Sequence, residues 1–260
     1  MDNKTTEKSF TKLLDIVRQL RGPEGCPWDK EQTHESLLPY FLEEVYEVIE
    51  GVESGDINSL KEELGDILLH VIFQADIAQN NGEFTINDSL NLVNEKLVRR
   101  HPHVFGDDKA DAPFHAKQNW ESAKHKEKKR ESRLDGVPVS LPALTRAQRL
   151  QEKASYAGFD WEKTEQVWGK INEEIQELKE AQSNGIKTHV EEEIGDVLFS
   201  FVNLARFLNI SAESALRKTN RKFTTRFKAV EDELKSRGKT VEDSNLEEMD
   251  SIWNEVKKQH

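Results

Sequence analysis

A net charge of −12 over 260 residues argues against generic binding to nucleic acid or to an anionic membrane, because both need a positive surface field. A charged fraction of 33% and a hydrophobic fraction of 35% predict a soluble, helix-rich chain that is long enough for two modest domains. Cys26 is the only cysteine, and no stretch has the apolar length of a signal peptide or a membrane span, so we expect a reducing compartment, the cytoplasm.

Apolar residues recur at helical spacing along the first part of the chain. Successive stripes begin at Leu13, Leu38, Leu64 and Leu90. Four amphipathic helices of this kind bury their apolar faces by packing against one another as a bundle. The pattern therefore predicts an all-α fold.

A change in composition marks the candidate domain boundary. Residues 117–133 are polar and highly charged, which is typical of a solvated helix end and not of a nucleic-acid site. The following segment, LDGVPVSLPAL, is rich in Gly and Pro and predicts a linker. We place an N-terminal domain at residues 1–130, a linker at 131–142 and a C-terminal domain at 143–260.

The second half of the chain repeats motifs of the first half in the same order. GCPWDKEQ at 25–32 returns as GFDWEKTEQ at 158–166, and EELGDILLHV at 62–71 returns as EEIGDVLFSF at 192–201. NEKLVRR later returns as NRKFTTR. An internal duplication explains this order, so we predict two tandem helical-bundle domains.

Each half also carries the pattern EExxE, followed by ExxD, and the spacing from Glu44 to Glu63 equals that from Glu174 to Glu193. A lone pattern of this kind in an acidic chain is usually a solvated helix face, but its duplication at constant spacing favours a site. Residues three apart share a helix face, and two such helices packed antiparallel bring four carboxylates together. That much buried negative charge needs a divalent cation, and ligands that are all oxygen favour Mg²⁺, with Mn²⁺ possible, over zinc. The predicted ligands are Glu44, Glu47, Glu63 and Asp66 in the first repeat and Glu174, Glu177, Glu193 and Asp196 in the second.

A basic pair follows the acidic helices in each half of the chain. Lys96 and Arg100 are four residues apart, as are Lys222 and Arg226. Beside a metal cluster such pairs bind phosphate, because Arg offers a planar donor fork and Lys a point charge. A tryptophan follows each pair, and its ring either stacks on a base or belongs to the core.

The two repeats differ at one position beside the acidic motif. We call two residues matched when they are related by the offset that takes Glu44 to Glu174, and by this rule Lys170 is matched to Tyr40. Lys170 lies one helical turn before Glu174, and a triphosphate site gains from an added cation, so we predict that the second repeat is the main catalytic one. Gly65 and Gly195 each interrupt the second acidic helix at a cost of about 1 kcal/mol relative to Ala, which predicts close approach of a neighbouring helix or a ligand.

The pattern EExxE, a spacer and then ExxD is similar to that of the all-alpha nucleotide pyrophosphohydrolases. Its doubled form, with GCPWDKEQT, RRHPHVFG and SLPALTRAQ, resembles the MazG family. The resemblance implies a helical homodimer that uses Mg²⁺ to hydrolyse nucleoside triphosphates, as NTP, dNTP or both, to the monophosphate and pyrophosphate, a reaction that cleans the nucleotide pool. It implies nucleotide contacts from Lys170, Lys222, Arg226, Trp253 and Lys257, and weaker ones from Lys96, Arg100 and Trp120. Glu173 or Glu192 would orient the attacking water, and the sequence does not choose between them.

A regulatory binding module is the alternative to an enzyme. Its helical surface would bind a protein partner or an alarmone nucleotide, and hydrolysis would be secondary. A di-iron carboxylate bundle is a further alternative, but it needs a Glu-x-x-His motif that neither pair of acidic helices supplies. No motif fixes the base or the sugar of the nucleotide.

Overall fold

The computed structural model describes residues 3–106, 113–127 and 131–259. Over these residues all regular secondary structure is helical, which confirms the predicted all-α class. The chain forms two compact units, residues 1–110 and 111–260.

The first unit is organised around a helical hairpin. Its helices in the described residues are α1 (Asn3–Arg21), α2 (Pro27–Glu31), α3 (Leu38–Ser54), α4 (Ile57–Asn80), α5 (Ile86–Arg100) and α6 (Pro102–Phe105). Helices α3 and α4 form the hairpin, and α1 packs against α4. The core that joins them contains Val17, Leu37, Ile72, Phe73 and Ile77.

The second unit contains the counterpart of that hairpin. Its helices are α7 (Pro113–Glu127), α8 (Ala143–Tyr156), α9 (Thr164–Asn184), α10 (Lys187–Phe207), α11 (Ala212–Ser236) and α12 (Leu246–Gln259). Helices α9 and α10 form the hairpin, α8 packs against α10, and α11 packs against α12. One core cluster lies between α9 and α10 around Ile171, and another lies between α11 and α12 around Leu234.

The two hairpins turn at matched glycines. Gly55 ends α3 with φ 74°, and Gly185 ends α9 with φ 71°. Positive φ is easily adopted by glycine alone, so a glycine closes each helix and lets the chain reverse within two residues. The first residues of α4 and α10, Ile57 and Lys187, are matched as well. The hairpins are therefore in register, which is what aligns their acidic residues.

Helix α7 belongs to the second compact unit. It packs against α8, where the Lys153 Nζ donates to Glu121 Oε2 at 3.1 Å and to the carbonyl of Arg133 at 3.2 Å. The side chain of Lys153 is only 5% exposed, so this ion pair is buried. The predicted linker, 131–142, lies within this unit. Residues 128–130, which belong to the charged segment 117–133, lie outside the described residues. The predicted domain boundaries stay a prediction.

An ion pair ties the second helix of each hairpin to the element that precedes the hairpin. In the first unit Arg21 Nε is 2.8 Å from Asp76 Oδ2, and in the second Arg206 NH2 is 2.5 Å from Asp160 Oδ1. Asp76 and Arg206 are matched residues on α4 and α10. The second helix of each hairpin therefore carries one member of an ion pair at the matched position, with opposite charge, while the partners Arg21 and Asp160 come from different elements.

No single helix among the described residues is long and apolar enough to cross a membrane. Helices α10 and α11, which are bent by 106° with respect to each other, pass this test of length and composition only when they are taken together.

Candidate metal and nucleotide site

Three of the four carboxylates predicted in the second repeat come together between α9 and α10. One oxygen each of Glu174, Glu177 and Glu193 lies within 4.8 Å of the other two. Glu174 is buried, with a side chain that is 9% exposed, while Glu177 is exposed. Asp196, one turn after Glu193, is exposed and lies outside this group of three.

The first repeat forms a similar group between α3 and α4, but Asp66 takes the place of Glu47, the residue matched to Glu177. One oxygen each of Glu44, Glu63 and Asp66 lies within 4.8 Å of the other two, and all three residues are half-buried. The fourth predicted ligand, Glu47, is hydrogen-bonded to Glu44. Each hairpin thus brings together three carboxylates from two helices, where the repeated spacing predicted four.

The clustering of these carboxylates disfavours their ionised forms. Burial, together with the like charges of Asp66, Glu47 and Glu63, raises the pKa of Glu44 to about 7. Partial desolvation of the carboxylate is the largest cause that raises the pKa of Glu63 and of Glu177. A divalent cation at either group would remove the repulsion and keep the carboxylates ionised.

The residues of the second repeat fit a hard divalent cation. Oε2 of Glu193 is buried and has no hydrogen-bond partner among the described residues. A buried acceptor without a partner is costly, so this oxygen is available to a hydrogen-bond donor or to a cation. Because the clustered donors are all carboxylate oxygens, Mg²⁺ or Mn²⁺ suits the group better than a softer metal.

Lys170 lies at the edge of this group, as its position in the sequence predicted. Its Nζ is 2.8 Å from Glu173 Oε1 and 2.8 Å from Glu174 Oε1. The hydrogen bond to Glu173 is the largest cause, and the one to Glu174 the next, that raises the pKa of Lys170 above its usual value, so the side chain stays charged. In the first repeat the counterpart Tyr40 instead packs edge-on against Trp28, with ring centroids 5.9 Å apart.

A histidine that the sequence analysis did not single out lies at the first group. His70 Nε2 is 3.9 Å from Glu44 Oε1, and the ring stacks on Phe41 with centroids 5.7 Å apart. Burial lowers the pKa of His70, which favours the neutral imidazole. The signal was present, since His70 follows Asp66 by one helical turn. The matched residue of the second repeat is Ser200, so the two groups differ on this side as well.

The two glutamates predicted to orient water lie outside the group of three. Glu173 is exposed and binds Lys170, and Glu192 is exposed immediately before Glu193. Their roles stay a prediction.

The predicted nucleotide-binding residues of the second repeat, apart from Lys170, lie on α11 and α12. The guanidinium carbon of Arg226 is 6.0 Å from the centroid of the Trp253 ring, and Phe223 packs on the same ring at 5.3 Å. Trp253 is half-buried and also packs on the apolar core between these helices. Lys222 and Lys257 are exposed. Arg226 and Trp253 are thus held together, with Lys222 one turn before Arg226.

The corresponding residues of the first repeat are divided between the two compact units. Lys96 is half-buried and Arg100 is 4% exposed, both on α5 of the first unit. Trp120 is half-buried on α7, which belongs to the second unit. In the second repeat, by contrast, Arg226 and Trp253 lie in one unit and in contact.

Gly65 and Gly195 have open space on their Cβ side within the described part of the chain. A Cβ atom added at either position would meet no atom of the described residues within 4 Å. The expected close approach by a neighbouring helix is therefore not found within the described part of the chain. A bound ligand or a second copy of the chain stays as the predicted reason for these glycines.

Comparison with known proteins places both hairpins in one family. The chain matches the MazG nucleotide pyrophosphohydrolase domain over residues 32–105 and 163–231, which include the two acidic groups and the basic pairs. Over 250 residues it is 49% identical to the nucleoside triphosphate pyrophosphohydrolase/pyrophosphatase MazG of Thermotoga maritima, with 95% of each chain covered. It is 44% identical over 254 residues to the nucleoside triphosphate pyrophosphohydrolase of Escherichia coli, with 95% of this chain and 97% of that one covered. It is also 45% identical over 259 residues to the uncharacterized protein YabN of Bacillus subtilis, a match that covers 98% of this chain and 53% of YabN.

Proposed function

The chain belongs to the MazG family of nucleotide pyrophosphohydrolases, and from this premise we propose that it hydrolyses nucleoside triphosphates to a nucleoside monophosphate and pyrophosphate. The observation that carries the proposal is the three-carboxylate group of Glu174, Glu177 and Glu193 with Lys170 at its edge. We propose Mg²⁺ as the cation that these carboxylates hold, with Mn²⁺ as a substitute.

The chain's own residues supply binding, orientation and charge. Bound Mg²⁺ neutralises charge on phosphate oxygens and makes water a better nucleophile near neutral pH. Lys170 is within hydrogen-bond reach of Glu174, so its ammonium group would add positive charge beside the phosphate that water attacks if that phosphate binds at these carboxylates. Lys222 and Arg226 would bind the remaining phosphates, and Glu173 or Glu192 would accept a hydrogen bond from the attacking water.

We expect hydrolysis to depend strictly on a divalent cation and to release pyrophosphate. The purified chain is incubated with each common NTP and dNTP, with and without Mg²⁺, and the products are resolved by chromatography. Excess chelator should abolish turnover, because the clustered carboxylates repel both one another and the triphosphate. Turnover that survives chelation, or release of orthophosphate with a diphosphate left behind, contradicts the proposal.

We also propose that the chain acts as a homodimer, because each hairpin exposes the same apolar stripe. On α4 the stripe consists of Leu64, Leu68 and Val71, and on α10 it consists of the matched residues Ile194, Leu198 and Phe201. These six side chains are between 38% and 53% exposed. A contiguous exposed apolar stripe that occurs twice supports burial against a second copy of the chain.

Light scattering should give a mass of twice 30.0 kDa for the chain at micromolar concentration. Leu198→Glu should shift this mass toward the monomer, because a charge buried in an apolar interface without a partner costs several kcal/mol. Leu216→Glu is the control, since Leu216 is 50% exposed but lies on a different helix, α11. A monomeric parent chain, or the same dimer in the Leu198→Glu variant, argues against this assembly.

A further inference from the structure

A cavity of about 470 Å³ lies in the second unit between α8, α10 and the turn that follows α8. Its volume is within the range of roughly 300–1,000 Å³ that small-molecule sites have. Three aromatic side chains, Phe159, Trp161 and Phe199, line it, and Ala154 lies on its α8 wall. Each of the three rings is at least 40% exposed, so the cavity is open to a ligand from solvent.

The turn after α8 is what builds one wall of this cavity. Gly158 adopts φ 90°, its N–H donates to the carbonyl of Ser155 at 3.0 Å, and the N–H of Phe159 donates to the carbonyl of Ala154 at 3.0 Å. This pair of bonds is a Schellman motif, which ends a helix and reverses the direction of the chain. The reversal carries Phe159 and Trp161 back beside α8.

The polar groups of the cavity leave hydrogen-bonding capacity for a ligand. Arg206 forms an ion pair with Asp160, and its Nε also donates to Asn203 Oδ1 at 2.9 Å. The ion pair therefore adds no net charge to the cavity. Gln151 is 8% exposed and donates to the carbonyl of Phe199 at 2.8 Å, but its Oε1 is buried and has no partner among the described residues. A planar, uncharged group with an N–H donor complements aromatic walls and an unpaired acceptor.

The first repeat fills the equivalent positions with core side chains. The residues matched to Phe199 and Asn203 are Leu69 and Phe73. Phe73 is 6% exposed and belongs to the core of the first unit, against which Leu69 packs. The same region of the hairpin is therefore packed in the first repeat and open in the second.

Helix α10 carries one ligand of the acidic group and one wall of the cavity, on different sides of the helix. The group lies between α9 and α10, whereas the cavity lies between α8 and α10. Phe199 and Asn203 follow Glu193 by six and ten residues. At 1.5 Å per residue they lie about 9 and 15 Å further along the helix axis.

We propose that the cavity lined by Phe159, Trp161, Phe199 and Gln151 binds a nucleobase. The base stacks on the aromatic walls, and one of its N–H or amino groups donates to the side-chain oxygen of Gln151 after a small movement of that side chain. The base belongs either to the substrate, in which case the inference rests on the proposed function and locates its base selectivity in the second repeat, or to a separate nucleoside.

Calorimetry with adenosine, guanosine, cytidine and uridine tests the proposal without phosphate or metal. At least one nucleoside should bind saturably with one site per chain. Ala154→Phe, which fills the cavity from α8, should weaken that binding at least tenfold. Asn203→Phe, which introduces the residue that the first repeat has at the matched position, should have the same effect. Ala215→Phe on the exposed surface of α11 is the control and should bind like the parent chain.

Kinetics with the matching nucleoside triphosphate then identify the source of the base. If KM rises at least tenfold in Ala154→Phe, the base in the cavity belongs to the substrate. If the kinetics are unchanged but nucleoside binding is lost, the base belongs to a separate nucleoside. Either outcome upholds the proposal. The absence of nucleoside binding, or equal binding by parent and Ala154→Phe, overturns it. A parent chain that binds a nucleoside but hydrolyses no triphosphate contradicts only the proposed function.

Discussion

Glu193→Gln should lower the turnover of nucleoside triphosphates by on the order of a thousandfold, which corresponds to about 4 kcal/mol of transition-state stabilisation. Glu193 contributes both an oxygen of the three-carboxylate group and a buried oxygen without a hydrogen-bond partner among the described residues. The amide keeps the shape of the side chain but removes the charge that a cation needs. Release of pyrophosphate at saturating Mg²⁺ measures the effect.

The matched control for this substitution is Glu63→Gln in the first repeat. Glu63 occupies the same position in the other hairpin and belongs to the corresponding group. We expect this variant to keep most of the activity, because Tyr40 replaces the lysine of the second repeat. If Glu63→Gln abolishes turnover in a protein that stays folded and dimeric, catalysis has been assigned to the wrong repeat.

Lys170→Tyr, which gives the second repeat the residue of the first, should lower kcat about a hundredfold, as the loss of one charged contact to the transition state typically does. The ammonium group of Lys170 lies 2.8 Å from a buried carboxylate of the group, so it is placed to offset charge on a phosphate beside that carboxylate. Steady-state kinetics over a range of triphosphate concentrations separate kcat from KM.

The reciprocal variant, Tyr40→Lys, distinguishes a catalytic cation from a structural one. It should leave turnover by the second repeat unchanged, because Tyr40 lies on the other hairpin, 45% exposed and packed against Trp28. Lys170→Arg should recover part of the activity, since it retains the charge. A Lys170→Tyr variant with normal kcat, or one whose only defect is a lower melting temperature, would remove Lys170 from the catalytic step.

The constant offset between the repeats explains how much of the site could be predicted. Positions three and four apart on a helix must share a face, so Glu174 and Glu177 could be placed together from sequence, and a glycine at 185 implies a turn that returns α10 beside α9. Which carboxylates converge depends on how far the helices slide and rotate. Spacing alone provided no means to separate Glu193, which joins the group, from Asp196, which does not.

Features that depend on contacts between distant segments could not be predicted from the sequence. The approach of His70 to Glu44 requires the rotation of α4 against α3 to be known, although its spacing from Asp66 was a usable hint. The placement of Trp120 in the second compact unit follows from the packing of α7 against α8, a pairing that no repeat indicates. The cavity beside Phe199 exists because the second repeat packs differently from the first at matched positions. A search for residues that the two repeats share does not reveal such a difference.

The exchanged charges of the two ion-pair ties bear on how a chain with two similar hairpins folds. Tandem copies of one fold risk assembling with each other's helices, a characteristic failure of repeated domains. If α1 docked on α10, Arg21 would face Arg206, and if the turn after α8 docked on α4, Asp160 would face Asp76. Each exchanged arrangement would bring like charges together in a largely buried setting, whereas each correct one pairs opposite charges at 2.5 to 2.8 Å. We therefore expect the reversal of polarity between the repeats to disfavour the exchanged pairings relative to the correct ones.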